Sequence, residues 1–370
     1  MEVEQRGVVK RIGILTGGGD CAGINAAIRA STKKAIYNYG MEVVGIRDGY
    51  LGLIEDQIIQ LTDKDVSGIL SQGGTILGTS NRVDPFQFSE KRGGTGTWVT
   101  RDVSNLVVDN YRKHGLDALI CIGGDGTLKV AEKFIHKGLR IIGIPKTIDN
   151  DLCGTDITFG FDTAVFNATE AIDKIHDTAE SHHRAMVIET MGRYAGWIAV
   201  TAGLASGGDI ILIPEIPYRM DRICEKIQER RRRGKHFSII VAAEGARPEG
   251  GKVVVRKVVE GSPEPIRLGG IGNIIADEIE EYTGIESRVA VLGYLQRGGS
   301  PTAFDRVLAT QLGNGAIDLI KEGEFGHMVC FTGGRISSVP IAKAVEKLKL
   351  VPIDSPFIAA ARSIGVSFGD

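Results

Sequence analysis

Two short apolar runs, each ended by a glycine- or aspartate-rich turn and joined by one helix-length stretch, restrict this chain more than any other feature. Residues 118–122 lead into Gly123-Gly124-Asp125-Gly126-Thr127, and 141–144 lead into Pro145-Lys146-Thr147-Ile148-Asp149-Asn150-Asp151. Between them, 128–137 carries Val130, Ala131, Phe134 and Ile135 at helical spacing and stops at Gly138. Such a strand–helix–strand unit joins parallel strands, so both motifs fall at carboxyl ends of a sheet. In open parallel sheets that edge is where ligands bind. Three carboxylates and a lysine beside a phosphate-sized glycine gap fit phosphoryl transfer, which depends on positioning and electrostatics.

The same alternation recurs at 11–20, 42–49, 118–126, 140–149, 185–193, 209–215, 237–245 and 289–299. It predicts an α/β fold with mainly parallel sheets. Polar strand ends occur in both halves, so two sheets meeting near residue 155 are expected to face each other across a cleft. The patch 91–97 reads as a surface loop, and 252–267, alternating valine with charge, as an exposed hairpin arm.

The chain has 370 residues, comfortable for two domains, and 50 glycines, many placed just after apolar runs. With 44 basic and 46 acidic residues there is no field for nucleic acid or a membrane surface. No apolar stretch has the length of a membrane span, and the first residues lack a signal-peptide core. The five cysteines are odd in number and widely spaced, which suggests neither a disulfide frame nor a zinc site. A cytoplasmic enzyme is the expectation.

The glycine loop Thr16-Gly17-Gly18-Gly19-Asp20 could turn N–H groups toward an anion at a helix start, or could be a plain turn. Neither a G-x-x-x-x-G-K-[ST] loop nor a complete G-x-G-x-x-G is present. Asp125 suits Mg²⁺ shared with phosphates, with capping of the following helix as the alternative. In extended chain Asp149 and Asp151 would share a face, one accepting a hydroxyl proton while the other orients it or helps hold the metal; an Asx-rich turn is the alternative. Lys146 and Thr147 could stabilise a transferring phosphoryl group. Arg82, Arg184, Arg193, Arg288 and Arg297 lie near glycine-rich or strand-end segments, and five such forks imply a second, phosphorylated substrate. Glu244 could accept hydrogen bonds from sugar hydroxyls or simply enter a helix. The basic run at 230–236 reads as a solvated helix end.

Together with Gly74-Thr75-Ile76-Leu77-Gly78, Met191-Gly192-Arg193, Ala243-Glu244-Gly245 and Gln296-Arg297-Gly298-Gly299, these motifs resemble the bacterial-type 6-phosphofructokinases from about residue 11 to about 320. The resemblance implies two similar-sized three-layer α/β domains with the active site between them. A donor domain would comprise 1–155 with about 296–345, and a sugar-phosphate domain about 156–295 with 346–370. It implies ATP and Mg²⁺ on one side and fructose 6-phosphate on the other. Asp149 matches the general base, Asp125 the magnesium ligand, and Gly18, Thr147 and Arg193 the groups around the transferring phosphate, with Lys146 beside them. Gly124, Gly126, Thr127 and Arg82 fall to the donor. Asp151, Met191, Gly192, Glu244, Tyr294 and Arg297 fall to the sugar phosphate. Arg184 and Arg288 match residues that come from a neighbouring subunit, which implies a homotetramer.

The departures are specific. Tyr294 stands where the family usually has histidine, Asn81 aligns with a phosphate-binding arginine that Arg82 follows by one place, and Arg47 replaces an aromatic. Gln57 stands where the effector site has arginine. In the family, glycine at the position of Gly126 accompanies nucleotide use and aspartate there accompanies pyrophosphate; lysine at the position of Lys146 accompanies pyrophosphate. Gly126 weighs more, since a filled and charged site is harder to escape than an added cation. ATP is therefore the expected donor and pyrophosphate the alternative. NAD and lipid kinases share Gly-Gly-Asp-Gly-Thr but lack Thr-Ile-Asp-Asn-Asp, and a non-catalytic sensor would not be expected to keep Asp125, Asp149 and Asp151.

Overall fold

The computed structural model describes residues 9–91 and 98–370, so most of the patch at 91–97 lies outside the described residues. In chain order the strands are β1 (Arg11–Thr16), β2 (Glu42–Ile46), β3 (Ile58–Leu61), β4 (Phe88–Lys91), β5 (Trp98–Arg101), β6 (Ala118–Gly123) and β7 (Ile141–Pro145). They continue with β8 (Ala185–Thr190), β9 (Ile210–Leu212), β10 (Ser238–Ala243), β11 (Val255–Val258), β12 (Ile266–Leu268), β13 (Ser287–Val291), β14 (His327–Thr332) and β15 (Arg335–Pro340).

Seven strands form a sheet in the order β15-β14-β7-β6-β1-β2-β3, and four form a second in the order β13-β8-β10-β9. All pairings are parallel except those of the two edge strands β3 and β15. The chain leaves β1 for β2 on one side and returns to β6 on the other, so the large sheet reverses direction between β1 and β6. The small sheet reverses beside β8, with β10 on one side and β13 on the other. Each reversal opens a crevice at the carboxyl ends of its strands. The large-sheet crevice receives the glycine loops after β1 and β6; the small-sheet crevice receives the turns after β8, β10 and β13.

The central strands are apolar on both faces because both faces are covered. Ile12, Ile14, Ile120, Ile122, Ile142 and Ile144 pack into one core that continues to Ile188, Ile239 and Val241 of the small sheet. Leu15, Leu119, Cys121 and Ile141 face a second core, while Val187, Ile240 and Ala242 face a third. All eight stretches expected from the sequence contain strands, the last one at its start. The edge strands β3 and β15 escaped the pattern because they are half-buried or exposed and carry little apolar signal. The arm expected at 252–267 is the hairpin of β11 and β12. Among the described residues no helix is long and apolar enough to cross a membrane.

One buried carboxylate ties the helices together. Asp305, in the helix Ala303–Glu322, is fully buried and accepts the N–H groups of Gly160 at 2.9 Å and Thr163 at 2.8 Å, and the Thr163 hydroxyl at 2.6 Å. These donors open the helix Phe161–His182, whose Gly160 cap has φ 94°. Asp305→Ala would strand them without an acceptor. Urea denaturation is expected to show a loss of about 3 kcal/mol, and a variant within 0.5 kcal/mol of the parent, roughly the scatter of surface changes, would remove Asp305 from the frame.

Candidate active site

Two connected cavities, of about 800 and about 480 Å³, run between the carboxyl ends of the sheets. Gly19, Asn81, Asp125, Asp151, Arg193 and Arg297 border both. The smaller is lined by Gly18, Gly124, Gly126, Thr127, Lys146, Thr147 and Asp149, and the larger by Met191, Glu244 and Tyr294. The glycines after β6 allow a close fit: a Cβ on Gly123 would stand 2.3 Å from that of Thr127, in the first turn of the helix Asp125–His136. That helix begins three residues earlier than the sequence suggested, with Gly124 as its cap, so Asp125 lies inside the first turn and makes no side-chain cap bond. Its carboxylate points to the cleft and takes Lys129 Nζ at 2.8 Å.

Asp149 and Asp151 are each 5% exposed, and one oxygen of each, Oδ1, is buried with no hydrogen-bond partner in the protein. The intervening chain is not extended, as the sequence had suggested: Asn150 has φ 51°, a left-handed turn. Its Oδ1 accepts the Thr158 N–H at 3.1 Å, and the Thr158 hydroxyl donates to Thr147 O at 2.7 Å, so the turn is locked with both carboxylates still bordering the cleft. A turn rich in Asp and Asn and a pair of cleft-lining carboxylates thus coexist. Burial, then the nearby Asp149 and Asp125 charges, push Asp151 up to about 7 against the pull of Arg193. Glu244 is likewise raised to about 7, by burial first and then by Asp149. Lys146 is almost fully buried and donates to Gly19 O; burial lowers its pKa.

Arg193 sits after β8 with φ 53°, strain of a kind that persists where surroundings hold it. Its N–H donates to Glu244 Oε1 at 3.1 Å. Gly245 admits this turn, since a Cβ there would meet Arg193 O at 2.0 Å. The guanidinium pairs with Glu264 of the hairpin arm, a contact that strengthens the charged form of Arg193. Burial opposes ionisation of Glu264, but Arg193 outweighs it and the net shift is downward. A Cβ added at Gly126 would lie 3.2 Å from Glu264 Oε1, so this carboxylate stands between the Gly126 turn and Arg193, where an incoming anion would approach.

Mg²⁺ typically takes one or two protein carboxylates and completes its shell with water and phosphate oxygens. Asp125 and the unpartnered oxygens of Asp149 and Asp151 fit that role. Among the described residues no group of three or more His, Cys, Asp or Glu is arranged to hold a metal ion by itself.

Other expected residues lie apart. Arg184 and Arg288 were expected at cleft-facing ends; instead they flank the amino ends of β8 and β13, both pairing with Glu286. Neither borders the cleft of its own chain. Sequence order had not distinguished one end of a strand from the other. Arg82 is exposed, and Asn81 borders the cavities in its place. The Gly18 N–H donates to Ser80 O at 3.0 Å and is engaged within the protein. Tyr294 is 82% exposed on the cleft rim, and Gly192, with φ 134°, shapes the turn that carries Arg193. Arg297 donates to Asp20 O at 2.9 Å, linking the small-sheet side to the first glycine loop.

Sequence reasoning missed Glu264, whose arm gives no sign of folding back, and Glu189. The latter ends the apolar run of β8, is 3% exposed, and accepts the N–H groups of Gly270 and Gly272 at 3.0 and 2.9 Å. An acid closing a buried strand was the available signal.

Residues 11–320 match the phosphofructokinase family. The chain belongs to that family. It is 50% identical over 363 residues to an ATP-dependent 6-phosphofructokinase of Clostridium perfringens, covering 98% of this chain and 99% of that protein. It is also 50% identical, over 92% of this chain and 96% of the other, to a pyrophosphate–fructose 6-phosphate 1-phosphotransferase of Amycolatopsis methanolica. Among solved structures, phosphofructokinase from Saccharomyces cerevisiae matches with a TM-score of 0.78 and 32% identity; the match covers 91% of this chain but 45% of the yeast chain.

The raised carboxyls of this phosphofructokinase-family site can be read directly. Infrared difference titration of the ligand-free protein should show carboxylate bands growing as pH rises through about 7. The bands should weaken in Asp151→Asn and in Glu244→Gln. Complete carboxyl ionisation below about pH 5, as for ordinary side chains, would contradict this description.

Proposed function

We propose that this chain transfers the γ-phosphoryl group of ATP to the 1-hydroxyl of fructose 6-phosphate, giving fructose 1,6-bisphosphate and ADP. The observation that carries the reading is the pair of buried, unpartnered carboxylate oxygens on Asp149 and Asp151, set opposite Arg193 and near Lys146 at the sheet reversal. Asp149 takes the hydroxyl proton as the sugar oxygen attacks the γ-phosphorus and the bond to the ADP oxygen breaks. Lys146, Thr147 and Arg193 meet the charge on the transferring group, and Gly18 adds a backbone donor once its bond to Ser80 opens. Asp125 would hold Mg²⁺, which would neutralise phosphate charge. Asp151, Met191, Gly192, Glu244, Tyr294 and Arg297 receive the sugar phosphate, and Gly124, Gly126, Thr127 and Arg82 the nucleotide.

The donor lobe would comprise 1–155 with about 296–345, and the sugar lobe about 156–295 with 346–370. Arg184 and Arg288, turned away from their own cleft, support a homotetramer in which they reach the sugar 6-phosphate of a neighbour. The reading places the enzyme in the cytoplasm, where its substrates are found.

Pyrophosphate is the second reading, favoured by Lys146 and by the name of the Amycolatopsis relative. Gly126, which leaves room for a nucleotide, favours ATP. Side-by-side assays with Mg²⁺, fructose 6-phosphate and either donor decide between them. ATP-only turnover supports the first reading, pyrophosphate-only turnover the second, and neither would reject both. Asp149→Ser should lower kcat by about 10³-fold, within the span of general base catalysis, with little change in the KM for sugar phosphate. A near-parental rate would remove Asp149 from its role.

Any donor phosphate that reaches Arg193 has to displace Glu264. Glu264→Gln is expected to lower the KM for ATP by up to about fivefold, the ~1 kcal/mol upper range of a half-exposed ion pair. An unchanged or raised KM would show that the donor does not compete with the arm.

A further inference from the structure

Residues beyond 320 lie outside the stretch that matches the family, yet they reach the turn that carries the two carboxylates. Leu348 bridges Leu152 in antiparallel fashion, and the Lys349 N–H donates to Asp151 O at 2.8 Å. The Lys349 ammonium then folds back over the same turn. Its Nζ donates to Asn150 Oδ1 at 2.9 Å and to the carbonyls of Thr155 and Asp156 at 3.0 Å each, engaging all three ammonium donors. The segment is anchored from the other side as well. Trp197 Nε1 donates to Lys349 O at 2.8 Å, and the Val351 N–H donates to Glu215 Oε1 at 2.9 Å.

We infer that Lys349 is a positioning residue, which holds Asn150 in its left-handed conformation and so aims Asp149 and Asp151 into the cleft. The role rests on the phosphotransferase reading of those two carboxylates. Its geometry is particular. A left-handed non-glycine residue relaxes toward extended chain unless its surroundings prevent it. For Asn150 the restraints are the two bonds to its Oδ1, from Thr158 N–H and from Lys349. In an extended chain the side chains on either side of Asn150 would turn to new directions, carrying the carboxylates off their present aim. A half-buried lysine that only closed off spare carbonyls would need no bond to the asparagine side chain. Burial pulls the Lys349 pKa down to about 8, against the nearby Asp151 and Asp156 charges.

The test is a double-mutant cycle of Lys349→Met and Asn150→Ala, read on kcat with saturating ATP and fructose 6-phosphate. Each single change is expected to lower kcat by about 10- to 100-fold, the effect of a reacting group misplaced by roughly 1 Å. The KM for fructose 6-phosphate should stay within about threefold, since the arginines that would hold its phosphate are untouched. The double variant should be no slower than the slower single, because both changes release the same turn. Additive losses, or an unchanged kcat in Lys349→Met, would overturn the inference. If Lys349→Met does not fold, Lys349→Gln, which keeps a neutral amide donor, enters the same cycle with the same expectation of non-additivity.

Hydrogen exchange reads the clamp without catalysis. In Lys349→Met the amides of Asp149 and Thr158 should exchange faster while those of the helix Ala303–Glu322 do not change. Unchanged exchange at Asp149 and Thr158 would overturn the inference. A parent protein inactive with both donors would overturn the functional reading instead, and the exchange result would still decide the clamp.

Discussion

The structure depends on keeping like charges together out of water. Asp149, Asp151 and Glu244 converge on one largely buried space, where burial pushes Asp151 and Glu244 toward the neutral form. Arg193 supplies the opposing charge, its N–H on Glu244 and its guanidinium toward the carboxylates, while Lys146 waits behind the first glycine loop. The resulting tension is what a phosphate with its metal would relieve. On the proposed reading, carboxylates lacking partners would gain a metal or a hydroxyl proton, and the arginine would exchange Glu264 for a transferring group.

Much of the remaining architecture holds this arrangement in place. Two parallel sheets reverse direction, and each reversal opens its strand ends toward the other. A core runs through both sheets, and Asp305 ties two of its helices together. The hairpin arm lays Glu264 between Arg193 and the Gly126 turn. The segment after residue 345 passes beneath the Asp149–Asp151 turn and is anchored at Trp197 and Glu215, so the turn is supported from this segment as well as from its own strand.

The main strands and the principal site motifs were legible because their signals are local. A run such as Ala118-Leu119-Ile120-Cys121-Ile122 is apolar at every position only where both faces are covered, and glycine with aspartate directly after it marks a strand end. Gly126 and Lys146 could be read the same way, as residues adjoining a motif. The edge strands β3 and β15 were not legible, since exposed strands lack that apolar signature. The shape of the Asp149–Asp151 turn was misread because alternation assumes an extended chain, while Asn150 takes the left-handed conformation its partners impose.

What the sequence by itself determined was the chemistry available: carboxylates, a lysine and glycine turns at parallel strand ends, which follow from periodicity and residue type over a few neighbours. What only the tertiary structure decided was which charges face each other. Glu264 meets Arg193 across 71 residues and Lys349 meets Asn150 across 199. Arg184 and Arg288 lie at the amino ends of β8 and β13, where both pair with Glu286. Electrostatic partnership depends on distance through space, and chain order carries that information only after the sheets have reversed and the arm and tail have folded back.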